Sequence, residues 1–223
     1  MITPHRTSRL QKIVSFVALL FITNLLMLLA NLPLAFSLLF VPYTPNNILL
    51  FILLGITLGP SITAVLTLFW RFLTHQEFQY WRTFWACYRQ NFKQAGQIAL
   101  ITNAIMFVAL FDFWYFLPQH QFSFIAWLML LIALLTPVVA FYAYLFIARF
   151  QIRTRDALAN GVTALIRYFG PTINLIVAGY GILFIFCHFL PTILFLFSLP
   201  LFLGVLSMTR QLHALTSQQN VHS

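Results

Sequence analysis

Charged residues are scarce in this chain. Only 7% of its 223 residues are Asp, Glu, Lys or Arg, whereas a soluble domain carries roughly 25%. Acidic residues are the rarest, with 3 Asp and Glu against 12 Lys and Arg. Hydrophobic residues make up 61% of the chain, so there is too little polar surface to cover a water-soluble globule. The composition excludes a soluble domain and predicts that lipid surrounds most of the chain.

Cysteines and catalytic motifs are also scarce. The 2 cysteines, Cys87 and Cys187, are too few for a disulfide scaffold, and the topology predicted below places them on opposite sides of a membrane. The sequence contains no G-x-x-x-x-G-K, G-x-G-x-x-G, H-E-x-x-H or G-x-S-x-G segment. Its 6 histidines lack metal-ligand spacing, and 3 acidic residues allow few acid–base pairs. We therefore predict a protein that is not an enzyme and holds no cofactor or metal.

Long apolar runs are what the sequence does contain. They predict an all-α, multi-pass transmembrane bundle of about six helices, folded as a single domain over 1–223, because a span needs ~20 residues. The first run is too long for the ~7–15-residue core of a signal peptide, so we interpret it as a retained helix. The predicted helices are 13–41, 47–69, 95–116, 124–147, 171–188 and 191–208, and the long loops are 70–94 and 148–170.

Lys and Arg occur only in alternate connections between these runs. Cytoplasmic segments carry the excess of basic residues, so the alternation predicts a bacterial inner-membrane protein with both termini in the cytoplasm. The net charge of +9 lies in short tracts beside apolar runs, which indicates contact with anionic lipid and not with nucleic acid. The basic tracts contain Arg6, Arg9 and Lys12; Arg71, Arg82, Arg89 and Lys93; Arg149, Arg153, Arg155 and Arg167; and Arg210.

The loop 70–94 has an amphipathic pattern. Its aromatic residues recur at helical spacing, and its basic residues fall mostly on the opposite side, which is typical of a helix lying in the inner membrane interface. The aromatic residues are Trp81, Phe84, Trp85, Tyr88 and Phe92, and the basic ones are Arg82, Arg89 and Lys93.

The loop 148–170 has a similar but weaker pattern. Thr154 or Asp156 is a candidate cap for a helix on which Leu158, Val162, Leu165 and Phe169 share one face. The basic residues of the two loops are our candidates for binding a partner or lipid headgroups. They are Arg82, Arg89, Lys93, Arg149, Arg153 and Arg155.

The second predicted helix contains small residues and a proline. Gly55 and Gly59 form a G-x-x-x-G pair that lets another helix approach closely; packing inside one chain is the favoured interpretation, and a dimer seam is the alternative. Pro60 removes a backbone donor. A kink that neighbouring helices satisfy is the simpler interpretation, and exposed carbonyls that bind an ion or a solute are the alternative.

A few polar side chains lie within or beside the apolar runs. Asp112, His120 and His188 are expected at a similar depth near the outer surface, where they would form a proton or cation site or be unrelated interfacial residues. Four amides are expected to hydrogen-bond between helices, and lining a solute path is the alternative. They are Asn24, Asn31, Asn103 and Asn174.

Several segments, in order along the chain, resemble the YesL-like family of bacterial integral membrane proteins, which are classified as a domain of unknown function. The most specific are Gly59-Pro60 and Asn91-Phe92-Lys93; Asn31-Leu32-Pro33 and the stretches 148–150 and 156–160 agree with them. Members are often encoded beside sugar ABC transporters and polysaccharide-degrading enzymes. The resemblance thus implies a role near carbohydrate uptake or sensing, and it implies no catalytic residue.

Three functional hypotheses follow. The first is a non-enzymatic accessory or regulatory protein that binds a sugar ABC permease or a membrane sensor through its cytoplasmic loops. The second is a small solute transporter or channel that acts as a homo-oligomer, with the amides lining its path. The third, an intramembrane enzyme, would need Asp112, His120 and His188 within hydrogen-bond reach of one another.

Overall fold

The structure is a computed structural model that describes residues 9–42, 44, 47–150, 152–188 and 198–219. Over these residues the chain is helical, without a strand. A short 3-10 turn, His120–Phe122, precedes α6. The helices are α1 (Arg9–Ala30), α2 (Leu32–Phe40), α3 (Ile48–Gly55), α4 (Leu58–Leu73), α5 (Tyr80–Phe116), α6 (Ser123–Arg149), α7 (Thr154–Arg167), α8 (Phe169–His188) and α9 (Ser198–Gln219).

Four stretches of the described chain are long and apolar enough to cross a membrane. They are Ile13–Ala30, Ile48–Leu73, Tyr80–Phe116 and Ser123–Arg149, and the bent pair of α7 and α8 makes a fifth when it is counted as one span. The prediction of an all-α multi-pass membrane bundle is therefore confirmed. The predicted sixth span, 191–208, begins outside the described residues, and the apolar part of α9, Ser198–Thr209, is shorter than a span.

The first two predicted helices are each interrupted, which corrects the prediction of continuous helices. Asn31 separates α1 from α2, and Pro33 lies in the first turn of α2, where its missing N–H removes no helical hydrogen bond. Ile56 and Thr57 form a turn between α3 and α4. Pro60 likewise lies in the first turn of α4, where its missing N–H costs little. The break between α3 and α4 therefore precedes Pro60 by about one turn.

The predicted boundary at residue 95 does not exist. Residues 80–94 are helical, as expected, but they continue without a break into the span as α5, which is 37 residues long. No proline occurs between Tyr80 and Phe116, and the single glycine, Gly96, is tolerated in a helix. The separate helix predicted for the loop 70–94 is therefore the first part of α5.

Helices α4, α5 and α6 form the centre of the core. Leu66, Phe69, Phe84 and Tyr142 are among its largest fully buried side chains. Small residues allow close helix contact here: a Cβ added at Gly59 would lie 2.4 Å from the carbonyl oxygen of Ala95. Such backbone-to-backbone approach provides the dispersion contacts that hold membrane helices together.

Helix α7 differs in detail from the prediction. Arg153 is its N-cap residue and no side chain caps the helix, because the Thr154 hydroxyl donates instead to Oε1 of Gln97 on α5, at 3.0 Å. Its buried face consists of the small residues Ala157, Gly161 and Ala164. A Cβ added at Gly161 would lie 2.7 Å from the carbonyl oxygen of Val139, so α7 crosses α6 at close range.

The predicted apolar stripe of α7 is largely exposed. Val162 is 50% exposed, Phe169 just beyond the helix is 69% exposed, and Leu158 and Leu165 are half-buried. The axes of α7 and α8 meet at 99°. An exposed apolar stripe on a helix roughly perpendicular to a span is the arrangement expected of an interfacial helix.

Candidate interaction surface at the basic end

One end of the bundle collects the basic residues of the two long predicted loops. The end of α4, the start of α5, the end of α6 and the whole of α7 meet there. The Arg149 guanidinium lies 4.2 Å from the ring centroid of Trp70, and the Gln94 side chain of α5 donates to the carbonyl of Ile152. We call this the basic end, and its described cations are Arg71, Arg82, Arg89, Lys93, Arg149, Arg153, Arg155 and Arg167.

A row of aromatic rings follows α5 at the basic end. Trp81, Trp85, Tyr88 and Phe92 are spaced four, three and four residues apart, which places them on one face of a helix. Successive ring centroids are 5.8, 5.4 and 5.5 Å apart, with interplanar angles of 63°, 73° and 60°. These edge-to-face contacts are favourable geometries for aromatic pairs. We call this row the aromatic ladder.

The two ends of the aromatic ladder are open. Trp81 is 58% and Phe92 is 44% exposed, whereas Trp85 and Tyr88 are half-buried against the core. Phe84, which the sequence pattern grouped with these residues, is fully buried beneath them. The indole nitrogen of Trp85 is buried without a hydrogen-bond partner.

The basic residues of α5 lie beside the aromatic ladder and not opposite to it. Arg82 precedes Trp85 by three residues, and Arg89 follows Trp85 by four, so the cations and rings are helical neighbours. Arg82, Arg89 and Lys93 are all exposed. The sequence predicted that the basic residues would lie mostly opposite the aromatic ones. In the structure only Phe84 of the aromatic residues is fully buried against the protein, and the basic residues lie beside the others.

A polar groove separates α5 from the connection between α6 and α7. Its walls carry the cations Lys93 and Arg153 and several amides, and its volume is ≈ 590 Å³. The bonds from Gln94 to the Ile152 carbonyl and from Thr154 to Gln97 fix the connection against α5. We call this the polar groove, and it is lined by Gln90, Asn91, Lys93, Gln94, Gln97 and residues 152–154.

The predicted outer polar site is only partly described. Asp112 lies half-buried near the opposite end of α5, close to the aromatic pair of Phe113 and Trp127, whose ring centroids are 6.4 Å apart. The side chains of His120 and His188 lie outside the described residues. Among the residues that are described, no three His, Cys, Asp or Glu side chains are grouped to hold a metal ion.

Asn31 lies in a hydrogen-bonded group where both interrupted helices meet. Its Nδ2 donates to the carbonyl of Met27 at 2.8 Å and to Oγ of Ser61 at 2.9 Å. Its Oδ1 accepts from the Thr57 hydroxyl at 2.7 Å. We call Asn31, Thr57 and Ser61 the polar trio. It joins the α1–α2 break to the α3–α4 break.

The other three amides lie apart from one another. Oδ1 of Asn24 accepts from the backbone N–H of Ser198 on α9 at 2.9 Å, and its Nδ2 is buried without a partner. Asn103 on α5 lies beside Gly55, where an added Cβ would be 2.9 Å from Nδ2. Asn174 is exposed on α8. Each amide thus has a different neighbourhood.

The structure places the small residues of the G-x-x-x-G pair against α5 of the same chain. Gly55 faces Asn103, and Gly59 faces Ala95 and Ala99. Pro60 is buried next to them.

Sequence reasoning missed the polar trio partners, the polar groove and Gly161. Thr57, Ser61 and Gln94 carry no periodic signal, because a hydropathy pattern does not say which helices are neighbours. Gly161 does have a signal: it forms a small-x-x-x-small pair with Ala157, the spacing that permits close helix crossing.

A protein-family model matches part of the chain. Residues 20–113 match the family model described as protein of unknown function, DUF624. The matched segment runs from α1 into the last turn of α5, and it includes the polar trio, the Gly55 and Gly59 pair and the aromatic ladder. No curated protein and no solved structure is significantly similar to the chain.

Proposed function

We propose that this chain is a non-enzymatic accessory or regulatory membrane protein that binds a second membrane protein through the projecting part of α5. The observation that carries the proposal is the aromatic ladder with its neighbouring cations. Tyr, Trp and Arg are the residues most enriched at the energetic centres of protein interfaces. Here the three types lie on adjoining sides of one helix, which the rest of the described chain leaves partly open.

The length of α5 supports a protein partner over lipid for most of this surface. Its 37 residues extend about 55 Å at ~1.5 Å per residue. With Phe116 at the opposite membrane surface, a ~30 Å hydrocarbon core ends near residue 96, and the headgroup layer ends roughly five residues further. Trp81, Arg82 and Trp85 then lie beyond the headgroups, where an open indole ring gains by contact with another protein.

The family resemblance supports the choice of partner. YesL-like proteins are often encoded beside sugar ABC transporters, so we propose a sugar permease or a membrane sensor of carbohydrate uptake. Such a partner would meet the basic end in the cytoplasm, and its acidic residues would complement Arg82 and Arg89. The chain itself has only 3 acidic residues with which to neutralise the basic end.

The test is capture of the partner by the tagged full-length protein. The protein is crosslinked lightly in native membranes, purified in mild detergent and examined by mass spectrometry. Wild-type protein should recover a transporter or sensor component. Arg82→Glu with Arg89→Glu should reduce that recovery at least tenfold, because reversing two charges makes the contact repulsive. Trp81→Ala should reduce it as well, since it removes an exposed aromatic anchor.

The matched control is Arg155→Glu with Arg167→Glu, which reverses two exposed charges of the same end on α7. The sequence made Arg155 a candidate for partner binding, but the surface proposed here is confined to α5 and does not include it. It should leave recovery unchanged. Equal loss in the control pair would show a general charge effect, and recovery of the chain alone or only as a homo-oligomer would contradict the accessory role.

The polar trio favours a second candidate, a small solute transporter. Discontinuous helices that meet inside the membrane form the substrate sites of several transporter folds, and here the α1–α2 and α3–α4 breaks meet at Asn31. Both hydrogens of the Asn31 amide and its oxygen already have protein partners, which favours a structural role. Solute flux into proteoliposomes would support transport if Asn31→Leu abolished it while the protein stayed folded.

A further inference from the structure

We propose that the polar groove binds the phosphate headgroup of an anionic phospholipid, whose acyl chains lie along an exposed face of α5. This inference does not rest on the proposed function. It concerns different residues, and a lipid in place of a protein partner. The phosphodiester is the chemical group that the site would recognise.

The charge and donors of the polar groove fit a phosphodiester. Lys93 and Arg153 are the charged side chains among its lining residues, and both are exposed. The amide of Gln90 is exposed beside them and can donate to phosphate or glycerol oxygens. Basic pockets between helices at the cytoplasmic membrane surface are typical sites for anionic lipid headgroups.

The polar groove is preformed. The Gln94 bond to the Ile152 carbonyl and the Thr154 bond to Gln97 hold the connection between α6 and α7 against α5. The backbone at Arg153, between these two bonded residues, is thereby held across the groove from α5. Asp156, in the first turn of α7, is not among the residues that line the groove. The proposal rests on the Lys93 and Arg153 side chains and not on the N-terminus of α7.

An apolar track continues from the polar groove along the same face of α5. Gln97 is followed at helical spacing by Ile101, Ile105 and Val108, which are 41%, 45% and 55% exposed. From Gln97 to Val108 the helix rises about 16 Å at ~1.5 Å per residue. One leaflet of a ~30 Å hydrocarbon core is about 15 Å thick, so the track has the length of a phospholipid tail.

The depth of the polar groove agrees with this assignment. Counting residues along α5 from Phe116 placed Trp81 in water. The same count places residues 93–97, roughly twenty residues from Phe116, at the headgroup layer. A cationic groove at this depth lies where the phosphates of the leaflet are. The aromatic ladder and the polar groove therefore serve different partners at different depths.

The experiment uses the purified full-length chain in mild detergent and native mass spectrometry. Dioleoylphosphatidylglycerol is titrated against dioleoylphosphatidylcholine, and the apparent dissociation constant of each is measured. Wild-type protein should bind phosphatidylglycerol more tightly. Loss of the two charges should weaken this binding about 30-fold, from about 1 kcal/mol for each basic residue at tenfold per 1.4 kcal/mol, and Lys93→Glu with Arg153→Glu should weaken it by more than that because it adds repulsion.

Two further variants make the result decisive. Lys93→Gln with Arg153→Gln removes the charges without introducing repulsion, and it should also lose the preference for phosphatidylglycerol over phosphatidylcholine. Arg82→Glu with Arg89→Glu reverses two charges on α5 outside the groove, and it should keep the preference. Equal binding of the two lipids, or equal loss in both charge-reversed pairs, would overturn the proposal.

A soluble competitor separates the lipid from a free phosphate compound. Glycerophosphoglycerol and inorganic phosphate carry the headgroup chemistry without the tails. Under the proposal neither displaces phosphatidylglycerol at concentrations up to a hundred times that of the lipid, because the apolar track contributes to binding. Displacement at equal concentration would assign the groove to a soluble phosphate and overturn the lipid assignment. Lipid binding is measured without any partner protein, so its failure is distinct from a failed capture.

Discussion

His75 is the one non-glycine residue with a positive φ among the described residues, at 54°. It ends α4 in the manner of a Schellman motif: its N–H bonds to the Phe72 carbonyl at 3.2 Å, and the N–H of Gln76 bonds to the Arg71 carbonyl at 3.0 Å. Glycine is the usual residue at this position. A side chain with a Cβ is strained there by ~1–2 kcal/mol, so the turn between α4 and α5 is held in a costly conformation.

We therefore expect His75→Gly to raise the thermal midpoint of the purified protein. The gain should be about 1 kcal/mol or less, because glycine also loses more backbone entropy on folding. The measurement is the intrinsic tryptophan fluorescence melt in detergent. His75→Ala is the control: it removes the imidazole but keeps the Cβ, so it should not stabilise. Equal midpoints for the two variants would show that the backbone strain is not relieved.

Individual polar residues show how far the sequence could predict the site. The amide of Asn31 was expected to hydrogen-bond between helices, and it does so, to Ser61 and Thr57. Its partners Thr57 and Ser61 were not predicted, because they become neighbours only when the α3–α4 turn meets the α1–α2 break. The position of Arg82 and Arg89 beside the rings follows from their spacing from Trp85. The burial of Phe84 was not predictable, since periodicity alone does not show which aromatic side chain faces the core.

At the scale of helices, the contact between α4 and α5 depends on a glycine. At Gly59 an added Cβ would lie 2.4 Å from the Ala95 carbonyl oxygen and 3.0 Å from the Ala99 Cβ. Neither neighbour is the end of a flexible side chain, so the two helices would have to separate. Overpacking of this kind costs ~1–3 kcal/mol.

Gly59→Ala should accordingly lower the thermal midpoint of the monomer. The matched control is Gly170→Ala on α8, where an added Cβ meets nothing within 4 Å and helix propensity favours alanine by ~1 kcal/mol. Midpoints are compared in the same detergent, and oligomeric state is followed by light scattering. A change in oligomeric state without loss of stability in Gly59→Ala would instead support the dimer-seam interpretation.

The helix boundaries were less predictable than the helices themselves. Hydropathy located the spans of α1, α4, α5 and α6, because ~20 apolar residues have few alternatives to a membrane helix. The break at Asn31 was missed, and the kink expected at Pro60 lies one turn earlier, at Ile56 and Thr57, since a proline in the first turn of a helix follows the break and leaves the apolar run unchanged. The continuity of α5 was missed for the opposite reason: the polarity of 80–94 ends the apolar run while the backbone stays helical.

At the scale of the whole molecule, the two ends of the bundle differ in chemistry. The basic end gathers its cations from four helices. The opposite end holds Asp112 and the rings of Phe113, Trp114 and Trp127. Trp is enriched at membrane surfaces. This asymmetry is the one that the sequence-based topology expects, and the protein partner proposed above requires the basic end to be in the cytoplasm.

The orientation is tested by labelling single cysteines from one side of the membrane. Cys87→Ser and Cys187→Ser provide the background, and Arg155→Cys or Gln121→Cys then places one thiol at an exposed position of the basic or the opposite end. In spheroplasts, a membrane-impermeant maleimide should label Gln121→Cys at once and Arg155→Cys only after lysis. The reason is that the positive-inside bias of short loops retains Lys and Arg on the cytoplasmic side. Labelling of Arg155→Cys before lysis would place the aromatic ladder and the polar groove outside the cell. It would remove a cytoplasmic partner from consideration, while lipid binding by the purified protein would stand or fall on its own measurement.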